Sequence, residues 1–486
     1  MKKNLFKLCS AVLVATSFCT YVRAEVSVPR CFTDNGVLQR GKPICVWGWA
    51  DPNEEVTVSF NGTSATTVTS QKGNWKVELP AQEASFEGKS LVIEGRNTLS
   101  FSNILVGEVW ICGGQSNMEM PLNSWGQDRL ACTEDEINGD YSFIRFNRPN
   151  HVISSEELND ITTPGWRVCK DGVQKDCTAC GFHFAVRLNK ELGVPVGLID
   201  SNWGGSNINS WIPDEGWNQV AETVEIGKEL ISTRSEVKDW DKCGGMYNAM
   251  LAPWKGYNFR GAIWYQGCTN AGEHEFYYYK QKAMILEWRK VFKNGNFPFY
   301  WVQLAPFTAP KEDPNETGDW PYLRHGQTMC MEVTNTGQAV IIDAGEINDI
   351  HPRNKWIVGN RLALWALANT YGKKVSECCS PMVSDVQFVN GKAIVSFEHV
   401  GSGLCTGKLD NRSFTQTKDN LARFAVAGTD GKYVWANAEI ITSNKIVVSA
   451  EGIDVAAVRY AWQMFPEGCN LYSSEGLPAT PFEIKK

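Results

Sequence analysis

Five apolar runs between residues 104 and 371 constrain the fold of this 486-residue chain more than any other feature. These runs are VGEVWI, PVGLID, GAIWY, FYWVQLA and AVIIDA, and they alternate with amphipathic helical segments such as FHFAVRLNKEL and FYYYKQKAMILEWRKVF. Strands without a polar face are typical of a parallel sheet that helices cover on both sides. The pattern therefore predicts a three-layer α/β/α unit over residues 105–374.

Both flanks of this unit have the pattern of antiparallel β structure. Between residues 25 and 104, short alternating runs such as EVTVSF and NWKVEL are separated by turn-forming DPNE and NGT, which predicts a β-sandwich-like domain. Residues 375–486 return to the same pattern with AIVSF, KIVVSA and AAVRYAW. The changes of pattern alone set these boundaries.

The first 24 residues have the pattern of a secretory signal. Lys2, Lys3 and Lys7 precede an apolar stretch, and Ala24 stands at a small-residue cleavage position. We therefore expect cleavage after Ala24 and a periplasmic or secreted product. No later stretch has the roughly 18 uninterrupted apolar residues of a membrane span.

Charge and cysteine content exclude several classes of partner. A formal net charge of -7 leaves no basic footprint, so nucleic acid is not an expected partner.

The 14 cysteines beyond Ala24 are too dilute for a disulfide scaffold, and the single CTAC motif (Cys177–Cys180) fits a disulfide or two buried thiols better than a zinc site. The loop GGQSNM does not supply a dinucleotide fingerprint. We expect neither a metal nor a cofactor, and the sequence does not fix the oligomeric state.

Polar or glycine-rich segments follow four of the predicted strands. They are GGQSNM, DSNWGGSNINSW, YQGCTNAG and NDIHPRNK. Open parallel sheets bind ligands at the carboxyl ends of their strands, so we expect these four segments to meet at one edge.

Together the four segments contain the parts of an acyl-transfer site. Ser116, on a strand-to-helix turn, is the candidate nucleophile, and His351 is the candidate base. The backbone N–H groups of Gly204 and Gly205 and the side chain of Asn270 are candidate donors to an oxyanion. Each residue alone is more often a cap or a turn residue, so the hypothesis rests on their joint order.

Four blocks of the sequence resemble those of the sialate O-acetylesterase family, within the SGNH hydrolase superfamily. The blocks are GQSNM, WGGSNINSWIP, WYQGCTNAG and NDIHPRNKWIVGNRLALWAL. The flanking stretches LQRGKPICVWGWADPNEEVTV and VRYAWQMFPEGCNLYSSEGLPATPF resemble that family's N-terminal β domain and C-terminal ending. The resemblance implies a metal-independent serine esterase that removes O-acetyl groups from sugars. It assigns the nucleophile to Ser116, the base to His351 and the oxyanion donors to Ser116 N–H, Gly205 N–H and Asn270.

The chain departs from this resemblance at two positions. Many relatives have Q-G-E-S-N in the third block, whereas here Cys268 replaces the glutamate, and a cysteine can act simply as a small apolar residue. The superfamily places its aspartate three residues before the histidine, where this chain has Asn348. Asp349 is the preferred acid, since residues two apart in an extended segment point the same way. Asp343 and a backbone carbonyl near Asn348 remain alternatives.

The small size of an acetyl group means that substrate choice depends on contacts with the sugar. Trp264 is a candidate wall residue, but it belongs to an apolar strand, and core packing is the favoured interpretation. The predicted substrate-binding residues are Gln115, Trp203, Trp211, Gln266 and Arg324.

The resulting functional hypothesis is a sialate O-acetylesterase that works through an acetyl-enzyme. An acetylesterase for plant polysaccharide such as xylan would use the same chemistry with different sugar-facing loops. A different class, a non-catalytic glycan-binding protein on an esterase scaffold, would be indicated by loss of Ser116 or His351, but both residues are present. The sequence leaves open which acetylated sugar and which hydroxyl position is preferred.

Overall fold

The computed structural model describes residues 25–126, 132–237 and 242–486. The predicted signal sequence, residues 1–24, lies outside the described residues. The N-terminal region consists of short strands, and burial alternates along β2 to β5. The bounds are β1 (Val37–Gln39), β2 (Ile44–Trp49), β3 (Glu55–Phe60), β4 (Thr63–Val68), β5 (Asn74–Leu79) and β6 (Ser85–Glu94).

A single long strand, β7 (Thr98–Gly114), joins this region to the central sheet. Its first half pairs antiparallel with β6, and its second half pairs parallel with two strands of the central sheet. Residue 104, where the sequence pattern places a domain boundary, therefore lies within a continuous strand. The predicted boundaries remain predictions, since backbone pairing alone does not define a domain.

The central sheet is parallel apart from one edge strand. Its strand order is β13-β12-β11-β7-β10-β8-β9, and only the pairing of β8 with β9 is antiparallel among these neighbours. All four residues of β10 and all five of β11 are buried, as expected for strands with helices on both sides. The bounds are β8 (Tyr141–Asn147), β9 (Trp166–Cys169), β10 (Val196–Ile199), β11 (Gly261–Tyr265), β12 (Phe299–Val302) and β13 (Thr336–Ala339).

Helices cover both faces of the sheet, which confirms the predicted three-layer arrangement. Successive residues of a strand point to opposite faces, so positions 110 and 113 of β7 look in opposite directions. The Trp110 ring contacts Phe184, and the space beside Gly113 is filled by Trp264 and Trp288. The helices are α1 (Ser116–Glu119), α2 (Glu134–Asn138), α3 (Ala179–Leu192), α4 (Val224–Ser232), α5 (His274–Phe292), α6 (Trp320–Met329) and α7 (Lys355–Trp365). Phe184 lies on α3, which packs with α7, and Trp288 lies on α5, which packs with α6.

The C-terminal region forms three small antiparallel sheets, in the orders β14-β15-β21-β20, β17-β16-β23 and β19-β18-β22-β24. The bounds are β14 (Met382–Val389), β15 (Lys392–Glu398), β16 (Leu404–Asp410), β17 (Ser413–Gln416), β18 (Phe424–Ala427), β19 (Tyr433–Trp435), β20 (Asn437–Thr442), β21 (Lys445–Ser449), β22 (Ala457–Tyr460), β23 (Leu471–Ser473) and β24 (Phe482–Lys485).

Two main apolar cores hold the molecule together. One runs without a break from the N-terminal strands through the α/β unit, and the other lies among the C-terminal strands. The 14 cysteines of the described residues are free thiols. Within the described part of the chain, no helix combines the length and the apolar character needed to cross a membrane.

Candidate active site

Ser116 lies at the carboxyl end of the central strand, on a turn that only small residues fit. A Cβ on Gly114 would lie 2.2 Å from the Tyr265 carbonyl oxygen, and Gly114 has a φ of +135°. A Cβ on Gly113 would lie 2.9 Å from the Trp264 ring. The two glycines therefore let β7 pass close to β11, and α1 begins directly afterwards at Ser116.

His351 is the side chain that faces the serine. Its Nε2 lies 2.9 Å from Ser116 Oγ. On the other side of the ring, Nδ1 lies 3.3 Å from Asp349 Oδ1, and the same carboxylate oxygen accepts the His351 backbone N–H at 2.9 Å. One imidazole nitrogen thus faces a hydroxyl and the other a carboxylate, which is the arrangement that a general base requires.

Asp343, an alternative acid, serves a different partner. Its carboxylate forms a two-pronged ion pair with Arg361, with distances of 2.6 Å and 2.7 Å, and also accepts from the Tyr472 hydroxyl at 3.2 Å. The side chain is buried. The pair joins the middle of α7 to the segment that follows β13, so this carboxylate is engaged with Arg361.

Two side-chain contacts tie the serine turn to the histidine segment. Asn117 Nδ2 donates to the Ile350 carbonyl oxygen at 2.9 Å, and Asn117 Oδ1 accepts from the ammonium of Lys355. Burial lowers the pKa of Lys355 to about 8. Asn117, which follows the serine, is therefore bonded both to the residue before His351 and to a residue four positions after it.

Two backbone N–H groups beside the serine are available as donors. Across residues 25–126, 132–237 and 242–486, neither Ser116 N–H nor Gly205 N–H has a protein acceptor. Gly205 is exposed, with a φ of +74°. The turn that contains Gly205 lies against the serine, because a Cβ on the preceding Gly204 would lie 3.4 Å from Ser116 Cβ.

Asn270 differs from the expectation that it donates to an oxyanion. It is fully buried, and its two N–H groups donate to Asn207 Oδ1 at 2.9 Å and Glu273 Oε2 at 3.0 Å. Its own oxygen accepts from Ile208 N–H at 3.1 Å. In this arrangement Asn270 holds the loop that contains Gly205. Both of its side-chain N–H groups are engaged within the protein, so neither is free to donate to an oxyanion.

A comparison with protein families decides what this geometry belongs to. Residues 106–350, slightly more than half of the 486-residue chain, match the family described as carbohydrate esterase, sialic acid-specific acetylesterase. The chain belongs to this family. It is a carbohydrate O-acetylesterase, a hydrolase of carboxylic esters.

Individual relatives match this acetylesterase over nearly their whole length. The sialate O-acetylesterases of Homo sapiens and Mus musculus are 26% and 27% identical, covering 93% of this chain and 91% and 93% of their own. Among solved structures, a carbohydrate acetylesterase from Xanthomonas citri has 32% identity and a TM-score of 0.84, covering 95% of this chain and all of its own.

Most of the predicted sugar-contacting residues lie inside the acetylesterase. Trp211, Gln266 and Arg324 are fully buried, which corrects the expectation that they line an open site. The Arg324 guanidinium donates to four backbone carbonyl oxygens, and Trp211 Nε1 donates to Ser206 Oγ at 3.0 Å.

Gln115 and Gln266 support the loops around the serine. Gln115 is buried, and its Oε1 accepts the Gly267 N–H at 3.0 Å. Gln266 Nε2 donates to the Ser206 carbonyl oxygen at 3.1 Å. Trp203, half-buried, is the predicted residue that retains accessible surface.

Three further side chains beside the acetylesterase site were not predicted. Trp125 is 45% exposed, and its ring meets that of His351 edge-on at 5.6 Å. Glu119 and His151 lie against the Trp203 loop. Only Glu119 had a sequence signal, since it stands three residues after Ser116 and so shares its face of a helix.

Cys268, whose role the sequence left open, is half-buried beside Tyr265 and Asn117. Burial raises the pKa of its thiol to about 12. A neutral thiol is a poor nucleophile, so the site favours a packing role for Cys268.

Proposed function

We propose that the chain removes O-acetyl groups from sialic acids through an acetyl-enzyme on Ser116. The observation that carries this proposal is the 2.9 Å separation of His351 Nε2 and Ser116 Oγ. In the first step His351 takes the serine proton while Oγ attacks the acetyl carbonyl carbon. The bond from the carbonyl carbon to the sugar oxygen breaks, and the sugar oxygen takes that proton from His351. His351 then takes a proton from water as the water oxygen attacks the acetyl carbon, after which the bond to Ser116 Oγ breaks, Oγ regains the proton and acetate leaves.

Asp349 is the proposed acid. Its oxygen lies 3.3 Å from Nδ1, where a carboxylate orients the imidazole and stabilises the imidazolium that forms during attack. The ion pair of Asp343 with Arg361 supports this choice, because it engages the alternative carboxylate elsewhere.

The proposed oxyanion donors are Ser116 N–H and Gly205 N–H. Removing one such donor from a hydrolase costs about 10²–10³-fold in kcat, so two aligned amides supply a large part of the catalysis. Asn270 is proposed to act indirectly, by holding Asn207 in the Gly205 loop.

The proposed substrate class rests on the family and on the accessible aromatic rings. The matched family is described as sialic acid-specific, and the human and mouse relatives are named sialate O-acetylesterases. The Trp125 ring contacts His351, and Trp203 lies in the loop next to Ser116 with one face of its indole stacked on His151. Flat indole faces suit sugar rings.

Export and domain organisation are also proposed. Residues 1–24 are proposed to direct secretion and to be removed after Ala24, which leaves a mature chain in the periplasm or outside the cell. The mature chain is proposed to comprise domains at 25–104, 105–374 and 375–486.

Acetate release by the mature chain tests the proposed function. Wild type and Ser116→Ala are compared on O-acetylated sialic acid and on acetylated xylan, with Ser232→Ala, an exposed serine of α4, as the matched control. We expect release from the sialic acid that falls by at least about 10³-fold in Ser116→Ala and is unchanged in Ser232→Ala.

The other outcomes discriminate the alternatives. Serine-dependent release from xylan alone would reassign the substrate class. Release that is equal in wild type and Ser116→Ala would refute the nucleophile. No release by the wild type would favour the glycan-binding alternative.

A further inference from the structure

Glu119 connects the helix that begins at the nucleophile with the loop that contains the proposed oxyanion donor. It is the last residue of α1, three positions after Ser116. One oxygen of its carboxylate accepts the Gly204 N–H, and the other lies 3.4 Å from His151 Nε2. The carboxylate therefore lies between α1 and the segment Trp203–Gly205.

This segment is packed tightly against the serine. A Cβ on Gly204 would lie 3.0 Å from Glu119 Oε2 and 3.4 Å from Ser116 Cβ, which leaves little space between the loop and α1. Trp203 N–H donates to the Gly114 carbonyl oxygen at 3.0 Å. The Trp203 ring stacks on His151, with centroids 4.2 Å apart and planes at 10°. Glu119 thus contacts both the loop backbone and the imidazole that supports its indole.

The groups facing the Glu119 carboxylate come from two other parts of the chain. They are His151 and the backbone N–H of Gly204. Arg148 donates to the Glu119 backbone oxygen at 3.2 Å and pairs with Asp200 at 2.6 Å, so its charge is engaged mainly with Asp200.

We propose that Glu119 is a positioning residue for catalysis, which holds Gly205 N–H in line with Ser116 Oγ by accepting the adjacent Gly204 N–H. The inference rests on the proposed function, since it concerns the same oxyanion. A donor acts in catalysis only when it is held within about 0.5 Å of the required place. A hydrogen bond to a charged acceptor is short and strong, so it restrains Gly204 and thereby limits the movement of the neighbouring Gly205 amide in the same turn.

The test compares Glu119→Ala and Glu119→Gln on 4-nitrophenyl acetate and on O-acetylated sialic acid. Glutamine keeps an oxygen that can accept the Gly204 N–H, whereas alanine leaves none. We expect Glu119→Ala to lower kcat by about 10- to 100-fold on both substrates, a part of the ~10²–10³-fold that one donor supplies, with KM changed less than about threefold. Glu119→Gln should retain kcat within about fivefold.

The matched control is Glu475→Ala, because Glu475 also accepts a loop N–H, that of Ser402, but lies in the C-terminal region. It should leave kcat unchanged. If Glu119→Ala does not fold, Glu119→Met fills the same space without an acceptor and takes its place.

Three results would overturn the inference: unchanged kcat in Glu119→Ala, equal loss in the Ala and Gln variants, or a rise in KM confined to the sugar substrate. Ser116→Ala, measured beside them, separates this failure from failure of the proposed function. If wild-type turnover of 4-nitrophenyl acetate does not depend on Ser116, the proposed function fails first.

Discussion

The amino ends and the carboxyl ends of the parallel strands, called here the amino edge and the carboxyl edge of the sheet, both concentrate polar groups. The hydrogen-bond partners of these groups differ between the two. Near the amino end of its central-sheet segment, β7 places Glu108, which is fully buried between Arg40 at 2.5 Å and Arg260 at 2.8 Å. At its carboxyl end, the same strand leads to Ser116, which is half-buried and faces His351 at 2.9 Å. The central-sheet segment of this strand thus begins in a closed ion-pair cluster and ends beside an accessible hydroxyl–imidazole pair.

The difference lies in where the hydrogen-bond donors point. Burial alone would raise the pKa of Glu108, but hydrogen bonds from Arg260, Arg40 and Gln39 lower it below its ordinary value. All three side chains donate to the Glu108 carboxylate. At the carboxyl edge, Ser116 N–H and Gly205 N–H have no acceptor within the described ranges, so they remain available to a ligand. The amino edge therefore serves stability, and the carboxyl edge retains groups for binding and chemistry.

Glu108→Ala should break this contrast with the largest effect on stability. It leaves two guanidinium groups partly buried without their carboxylate, and breaking a buried ion pair in this way costs about 3–5 kcal/mol of unfolding free energy. Urea denaturation measures the loss. The kcat of the remaining folded protein should stay within about twofold of wild type, since the site lies at the other edge.

The control for this variant is Lys76→Ala, which removes an exposed ion pair with Glu78 and should cost less than about 1 kcal/mol. Equal stability of Glu108→Ala and Lys76→Ala would contradict a structural role for the amino-edge cluster.

Asp349→Asn should sharpen the contrast at the carboxyl edge. Asparagine can still contact the imidazole but does not stabilise its positive charge, so we expect kcat to fall about 10- to 100-fold, a part of the ~10²–10⁴-fold that a general base contributes. Steady-state kinetics with a short acetyl ester measures this.

Asp343→Asn is the matched comparison for Asp349→Asn, because the two carboxylates compete for the same assignment. It breaks the buried pair with Arg361 and should lower the melting temperature with a smaller effect on kcat. The reverse result, a larger kcat loss in Asp343→Asn at unchanged stability, would show that the acid has been assigned to the wrong residue.

The sequence predicted the sheet and the catalytic candidates for a simple physical reason. Strands buried on both faces have no polar positions, so the runs around Val196–Ile199 and Gly261–Tyr265 indicate buried strands without any knowledge of the strands they pair with. The carboxyl ends of parallel strands meet at one edge, which is why Ser116 and His351, 235 positions apart, were expected together. The resemblance to a known family added their assigned roles.

The sequence did not predict which polar residues face inward. Arg324 was expected to contact a sugar, but its guanidinium donates to the carbonyl oxygens of Leu304, Ala305, Gln463 and Met464. Two of these partners lie 139 and 140 positions from Arg324 in the sequence, so no local sequence pattern predicts them. The same holds for His151, whose stacking on Trp203 depends on the tertiary fold. Long-range satisfaction of buried polar groups is therefore the part that required the structure.

The smallest effects are expected from two buried lysines, Lys355 at the carboxyl edge and Lys42 at the amino edge, and the effect on kcat distinguishes the two edges. Burial lowers the pKa of Lys355 from 10.5 to about 8, so between these pH values the unfolded chain holds more protons than the folded chain. The lysine's contribution to the free energy of unfolding therefore rises with pH in that window, and the stability of wild type relative to Lys355→Met should increase by about 1–2 kcal/mol from pH 7.5 to 9.5.

Lys42, at the amino edge, also has its pKa lowered to about 8 by burial and by Arg260, and Lys42→Met should show the same sign with a smaller size because that side chain is less buried. Only Lys355→Met should reduce kcat, by a few-fold, since Lys355 donates to Asn117 beside the nucleophile. Urea denaturation at the two pH values and kcat at pH 7.5 measure both quantities, and a relative stability that falls with pH would show that the folded state does not lower the pKa of Lys355.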